Sequence, residues 1–270
     1  MSISFESLEE LIELINRIHG FDLSGYSRAS LKRRISRIMD LYQLDVSGVK
    51  DNLINTPGFF NNLLMEVTVN VTEMFRDPAF YKVLREEVFP YLATFPHIKV
   101  WSAGCSTGEE VYSLAILLKK QGLYDRSFIY GTDINANVLK KAKQGIIDLK
   151  KMKEYSDNYL QTGSGDSLSE YYTARYDAAI IHHHLRRNVL FAMHNLVSDG
   201  IFNEFQLITC RNVLIYFNKQ LQDHVFNLLH GSLSLFGFLC LGSKETLRTE
   251  NLREKFRLIN KKHNIYQKIA

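Results

Sequence analysis

Apolar side chains recur at three- and four-residue intervals near the start of the chain. Phe5, Leu8, Ile12, Ile15 and Ile18 fall on one helical face, and Gly20 is a natural stop. The same spacing predicts a second helix after Ser27, with Leu31, Ile35, Ile38, Met39 and Tyr42 on one side. Pro57-Gly58 breaks the pattern before a short helix over Phe59 to Val67. From about residue 97 the period changes, and short apolar runs alternate with helical stretches. Strands are predicted at Ile98 to Ala103, Phe128 to Thr132, Val189 to Ala192, Phe205 to Cys210 and Phe238 to Leu241. Helices are predicted at Glu109 to Lys120, Ala136 to Lys143 and Lys219 to Leu229. This alternation predicts a parallel, doubly wound α/β domain over residues 69–270, behind an all-helical domain over 1–68.

Two stretches depart from the alternation. Residues 150–187, containing Gly163-Ser164-Gly165 and the run Tyr171 to Leu185, read as an inserted small β unit. Phe256 to Ile259 and Asn264 to Ile269 read as a closing hairpin. Such a hairpin would place an antiparallel strand in the sheet, an arrangement more typical of methyltransferases than of nicotinamide-binding domains.

With 270 residues, 46% of them hydrophobic, the chain can bury one large core and a small satellite. A net charge of +4 does not announce a nucleic-acid binder. Three cysteines, Cys105, Cys210 and Cys240, have neither disulfide-framework nor zinc-ligand spacing. The start carries Glu6, Glu9, Glu10 and Glu13 where a signal peptide would be basic, and the most apolar run, Leu233 to Leu241, is too short to span a bilayer. These features fit a reduced, cytoplasmic protein with no membrane insertion.

Four segments carry candidate chemistry. Val100-Trp101-Ser102-Ala103-Gly104-Cys105-Ser106-Thr107-Gly108-Glu109-Glu110 runs from a strand through a glycine turn into a helix. Gly104 and Gly108 are too far apart for the dinucleotide fingerprint. Glu109 and Glu110 at a helix start would repel a pyrophosphate but suit a cation, and S-adenosylmethionine carries a sulfonium and an ammonium. Two ordinary first-turn acids are the plain alternative. Asp133 follows the second strand 25 positions after Gly108, where ribose hydroxyls are bound in Rossmann-like folds, although an Asp there also serves as a helix cap. Val69 to Pro78 alternates polar and apolar residues and ends Arg76-Asp77-Pro78, ahead of a Pro-started helix. Thr209-Cys210-Arg211-Asn212 leaves the carboxyl end of a buried strand, where ligands of open α/β sheets bind.

In this order the four segments resemble the chemotaxis receptor (methyl-accepting protein) glutamate O-methyltransferases, the CheR family, over essentially the whole chain. The resemblance implies a class I S-adenosylmethionine-dependent, Rossmann-like domain with an inserted β subdomain, preceded by an all-α domain. It implies S-adenosylmethionine as cofactor and S-adenosylhomocysteine as product. Asn70, Thr72 and Arg76 match the inter-domain segment over the cofactor. Glu110 matches the acid facing the methionine part, Asp133 the ribose acid, and Asn195-Leu196 the pair beside the adenine. Arg211-Asn212 match the pair after the fourth strand, and Arg76 and Tyr216 the two residues that assist methyl transfer. One departure is Val111, where many members carry proline.

Arg28, Lys32, Arg33, Arg34 and Arg37 place five cations in ten positions without an acid. They read either as a solvated face or, through the resemblance, as the helix that docks on the cytoplasmic helical bundle of a methyl-accepting chemoreceptor. Some members hold a receptor tail peptide on a longer, glycine-containing hairpin. Here Arg175-Tyr176-Asp177 leaves room only for a tight turn, so no dependence on such a peptide is expected. Of His182-His183-His184, only the first and third would share a strand face, and no metal is expected. Cys105 has no evident partner base and reads as a small loop residue. A nucleic-acid methyltransferase is the rival within the same chemistry, but the fourth segment lacks the Asn-Pro-Pro-aromatic sequence of base-amino methylases, and no Pro-Cys pair is present. A non-catalytic, cofactor-sensing module is the rival from another class. A monomer without nucleic-acid partners is expected.

Overall fold

The computed structural model describes residues 3–68 and 71–270, and the chain divides into two compact units. The first comprises Met1–Asn70 with Leu214–Val225, and the second Val71–Val213 with Phe226–Ala270.

The first unit is helical. Helix α1 (Phe5–His19) starts where the Ser4 hydroxyl accepts the Ser7 N–H and stops where Gly20 turns left-handed at φ 63°. Helix α2 (Arg28–Tyr42), α3 (Val46–Asn55) and α4 (Phe59–Val67) follow. The spacing of apolar residues did not predict α3. Its buried stripe is only Val49 and Leu53, and the Asp45 cap that accepts the Gly48 N–H supplies the rest of the signal. Leu8, Ile15, Leu31, Ile35, Ile38 and Leu63 form the core, fully buried. The segment Leu214–Val225 joins this unit through backbone bonds from Ser27 N–H to the Tyr216 carbonyl and from Asn218 N–H to the Gly25 carbonyl, both 2.8 Å. Leu221 packs where a Gly25 side chain would stand.

The second unit opens with α5 (Pro78–Val83), a π turn over Leu84–Val88 and α6 (Phe89–Leu92). Strand β1 (Ile98–Ala103), α7 (Glu109–Lys120), β2 (Ser127–Asp133) and α8 (Ala136–Gln144) come next. After the inserted region come β6 (Val189–Met193), β7 (Phe205–Cys210), the second half of α10 (Lys219–Gly231), whose first half belongs to the first unit, β8 (Leu233–Leu241), α11 (Glu250–Glu254), β9 (Phe256–Asn260) and β10 (Ile265–Lys268). The seven-stranded sheet has the order β6-β2-β1-β7-β8-β10-β9. Its first five strands are parallel, and the hairpin adds β10 antiparallel to β8 and β9 antiparallel to β10. Strand order reverses between β1 and β7, so the carboxyl ends of β1, β2, β6 and β7 face one crevice-forming edge. β8 begins five residues before the predicted Phe238, because a bulge at Leu235-Phe236, with Phe236 at φ 63°, interrupts its apolar run.

The inserted β unit is a three-stranded antiparallel sheet, β3 (Ile146–Asp148), β5 (Ala178–Ile181) and β4 (Tyr172–Arg175) in spatial order, and it starts ahead of the expected residue 150 because β3 pairs with β5. The region also contains a helix that the pattern did not predict, α9 (Met152–Gln161). Asp166 ties the region together, its carboxylate accepting from Lys120, from the Tyr159 hydroxyl at 2.6 Å and from the Tyr171 hydroxyl at 2.7 Å. The β4–β5 turn is Tyr176-Asp177, with Tyr176 left-handed and 87% exposed. The strand ends at Ile181, and His183–Leu185 form a 3-10 turn, so the three histidines do not alternate across a strand. Among the described residues no helix is long and apolar enough to cross a membrane.

Candidate cofactor-binding and active site

The loop after β1 is built on two left-handed glycines, Gly104 at φ 76° and Gly108 at φ 92°. A side chain at Gly104 would strike Val213, which follows β7, so this glycine brings two strand-end loops together. Both Gly104 and Cys105 donate their N–H to the Thr132 carbonyl at 2.8 Å. Asp133, ending β2, completes the crossing. Its carboxylate accepts the Ser106 N–H at 2.9 Å and the Asn135 N–H at 3.0 Å. Burial pushes its pKa up, against the lowering by the Asn135, Ser106 and Ile134 N–H groups.

Glu110 sits in the first turn of α7. One oxygen accepts from the Ser102 hydroxyl at 2.9 Å and the Thr209 hydroxyl at 2.6 Å, and the other lies 3.5 Å from the Arg211 guanidinium. Ser102 and Thr209 come from β1 and β7, so the two central strands present this carboxylate. Glu109, the other acid of the pair, is buried and turned to the Thr107 hydroxyl at 2.6 Å; burial raises its pKa.

Arg211 organises the segment before α5. It donates to the Asp77 carboxylate at 2.7 Å and to the Arg76 carbonyl at 3.4 Å, and lies 3.9 Å over the Phe80 ring. Burial opposes its charge, but Glu110, Tyr81 and Asp77 more than offset this and hold its pKa above the ordinary value. The segment's backbone is pinned elsewhere too. Phe75 N–H donates to Ser113, and Asn158 of α9 donates to the Met74 carbonyl. Phe75 and Asp77 are both left-handed, at φ 54° and 59°, a strained pair held by these contacts. Asn212, left-handed at φ 61°, and Val213 give their N–H groups to Glu245, which also takes the Gly242 N–H.

The predicted residues therefore fall in definite places. Glu110, Asp133, Arg211 and Asn212 stand at the carboxyl ends of the central strands, and Thr72 and Arg76 lie on the segment that Arg211 fixes. Asn195 and Leu196 follow β6, where the Asn195 side chain accepts the Val197 N–H at 2.9 Å and Leu196 is buried. Asn70 lies outside the described residues. Tyr216 closes the 3-10 turn Leu214–Tyr216, within the first unit. The structure adds residues not singled out from sequence. Asp77, within Val69 to Pro78, and Glu245, just after β8, brace the loops, and no local sequence pattern marks either for that task.

Four buried polar atoms on these loops have no hydrogen-bond partner among the described residues: Ser106 Oγ, Asn135 Nδ2, His194 Nδ1 and Arg211 Nε. They belong to the loops after β1, β2, β6 and β7 in turn. Unpartnered buried polar groups are costly, so their gathering at one sheet edge fits a ligand rich in hydroxyl, amine and carboxylate groups. The acids fit a cationic centre. S-adenosylmethionine has both features, and the residues present fit it.

A seven-stranded sheet of this order, with a glycine loop after the first strand, a buried acid ending the second and an acidic first helical turn, defines a class I S-adenosylmethionine-dependent methyltransferase. More narrowly, residues 70–265 match the CheR methyltransferase SAM-binding domain and residues 6–65 the CheR methyltransferase all-alpha domain, and the chain belongs to the CheR methyltransferase family. A Pseudomonas putida protein carrying the name Cher3 is 49% identical over 96% of this chain and 95% of its own. Chemotaxis protein methyltransferase 1 of Vibrio cholerae is 33% identical over 100% of this chain and 98% of its own. A chemotaxis protein methyltransferase of Listeria monocytogenes is 29% identical over 87% of each chain. S-adenosylmethionine is the cofactor.

Proposed function

We propose that the enzyme methylates glutamate side-chain carboxylates of chemoreceptors, giving glutamate methyl esters and S-adenosylhomocysteine, as part of sensory adaptation in the cytoplasm. The observation that carries this reading is the Arg76 guanidinium. Its one recorded bond is a 3.5 Å contact to the Val71 carbonyl, and no carboxylate pairs with it among the described residues. Its backbone is nevertheless fixed by Arg211. A held cation without an anion, on the segment over the cofactor loops, suits a carboxylate substrate. The names of the Vibrio and Listeria relatives support the same substrate class.

The bound cofactor supplies a methyl group already activated on a sulfonium, so the protein needs little acid–base chemistry. Arg76 keeps the substrate carboxylate ionised and oriented, at some loss of nucleophilicity, so orientation is the larger effect. Tyr216 is assigned to methyl transfer by the family resemblance alone. Glu110 and Asp133 hold the cofactor's cationic and ribose ends, and Thr72, Asn195, Leu196, Arg211 and Asn212 complete its binding. The two-residue β4–β5 turn supports docking without a receptor tail peptide. Transfer of tritiated methyl to a receptor fragment, released as methanol by mild base, is the expected result. Base-stable label would point to nitrogen methylation, and absence of label to a non-catalytic module.

A further inference from the structure

A cavity of about 450 Å³ lies between the loop after β8, helix α11 and the β9–β10 hairpin. Its floor is apolar: Leu247, Phe256 and Tyr266 are buried there, and Leu258 is half-exposed beside them. Two exposed cations, Arg253 and Lys261, stand in the lining, and among the described residues no carboxylate does. Arg253 is held in place by its Nε bond to the Leu247 carbonyl at 2.9 Å, while its terminal nitrogens and Lys261 carry no recorded ion pair among the described residues. A hydrogen bond of 3.1 Å joins the Tyr266 and Thr246 hydroxyls. The charged groups of this cavity are two cations over an apolar floor.

The surrounding sequence strengthens the field. Residues 244–268 contain eight lysines and arginines against three glutamates, a larger excess than the +4 of the whole chain. One of the three, Glu245, spends its charge on the N–H groups of Gly242, Asn212 and Val213. That bonding also connects the cavity to the active site. Thr246 in the cavity wall directly follows Glu245, and Asn264 on the opposite wall donates to the Gly242 carbonyl at 2.9 Å. The cavity is thus fastened to the loop that carries Arg211 and Asn212.

We propose that this cavity is a second docking site for the protein substrate, taking an acidic stretch in which a carboxylate meets Arg253 and Lys261 while an apolar neighbour covers Leu247 and Leu258. The inference rests on the glutamate-methylating reading, which makes the substrate a carboxylate-bearing protein surface of the charge that Arg253 and Lys261 complement. Charge complementarity over an apolar floor gives such a site both register and affinity.

The test is binding of a fluorescently labelled cytoplasmic receptor fragment to the full chain, followed by anisotropy without turnover. R253E/K261E is expected to weaken binding by about tenfold, as for paired interface charges, with cofactor affinity unchanged. K261E alone, on an exposed side chain, should weaken it less and guards against a folding defect in the double variant. Fragment binding by R253E/K261E or K261E equal to that of the unaltered protein overturns the proposal, as does absence of fragment binding by the unaltered protein. The base-lability assay on the same fragment separates the two readings. Base-labile methylation with charge-indifferent binding leaves the glutamate reading standing and removes the cavity. Charge-dependent binding without base-labile methyl leaves the cavity as an acidic-protein site and removes the glutamate reading.

Discussion

Asp133 braces the loops around it, and in the proposed function it also receives the ribose. Asp133→Ala should weaken cofactor binding strongly, by roughly 1.5–3 kcal/mol for each ribose hydroxyl that loses a charged acceptor. Calorimetry giving an unchanged Kd would remove Asp133 from the site. The burial that raises its pKa adds a pH signature. Below that raised value the carboxyl carries a proton and loses acceptor capacity, so cofactor affinity should fall on the acid side and be flatter in Asp133→Asn. Arg76 behaves differently, because its side chain supports little of the fold. Arg76→Ala should abolish or greatly reduce turnover with the melting temperature intact, and methyl transfer persisting within about twofold would refute the carboxylate-clamp role. Asp133 was legible from its spacing after the glycines. Ser106, Asn135 and His194 were not, because an unpartnered buried atom is a property of packing that no local pattern records.

At the scale of elements, helix α2 separates its cations by task. Arg28 makes a two-pronged pair with Glu9 and donates to the carbonyls of Leu23, Ser24 and Tyr26, so it works inside its own unit. Lys32 lies over the Phe5 ring at 4.6 Å, Arg37 pairs loosely with Glu66 at 3.3 Å, and Arg33 is exposed. Charge reversal at Arg33, Arg34 and Arg37 should raise the receptor KM and flatten its salt dependence with cofactor affinity unchanged; equal activity would return the helix to a solvated face. The inserted region has its own electrostatic centre. Burial tends to raise the Asp166 pKa, but Lys120, Tyr159 and Tyr171 outweigh it and bring it down to about 2. The unfolded chain therefore binds the extra proton first, and the stabilisation, full above about pH 4, is lost as pH falls towards 2. Acid titration followed by hydrogen exchange in α9 and β4 should show this loss in the native protein and not in Asp166→Asn. The periodicities that announced α1, α2, α7 and the central strands are long and clean. Helix α9 escaped because Met152, Tyr155 and Tyr159 are its only buried residues and its face is otherwise polar.

For the molecule as a whole, the sheet was readable because its central parallel strands β1 and β7 are buried on both faces and appear as continuous apolar runs. What sequence left open was which loop segments meet, since Arg211 reaches residues 76 and 77 across more than a hundred positions. The order of the last strands has a consequence for biosynthesis. β10 follows β9 in the chain but lies between β9 and β8, so β9 reaches the sheet only through a strand made later. A ribosome delivering residues in order therefore releases β8 with a bare hydrogen-bonding edge, which stays open until Ile265–Lys268 emerge. During that interval the nascent chain offers an adhesive strand to its neighbours, and chaperones have a defined segment to shield. Chains stopped before Ile265 should accumulate as insoluble material, whereas co-expression with a peptide covering β9 and β10 should return part of them to the soluble fraction. Soluble, cofactor-binding protein from the truncated chain alone would show that the sheet closes without its inner strand.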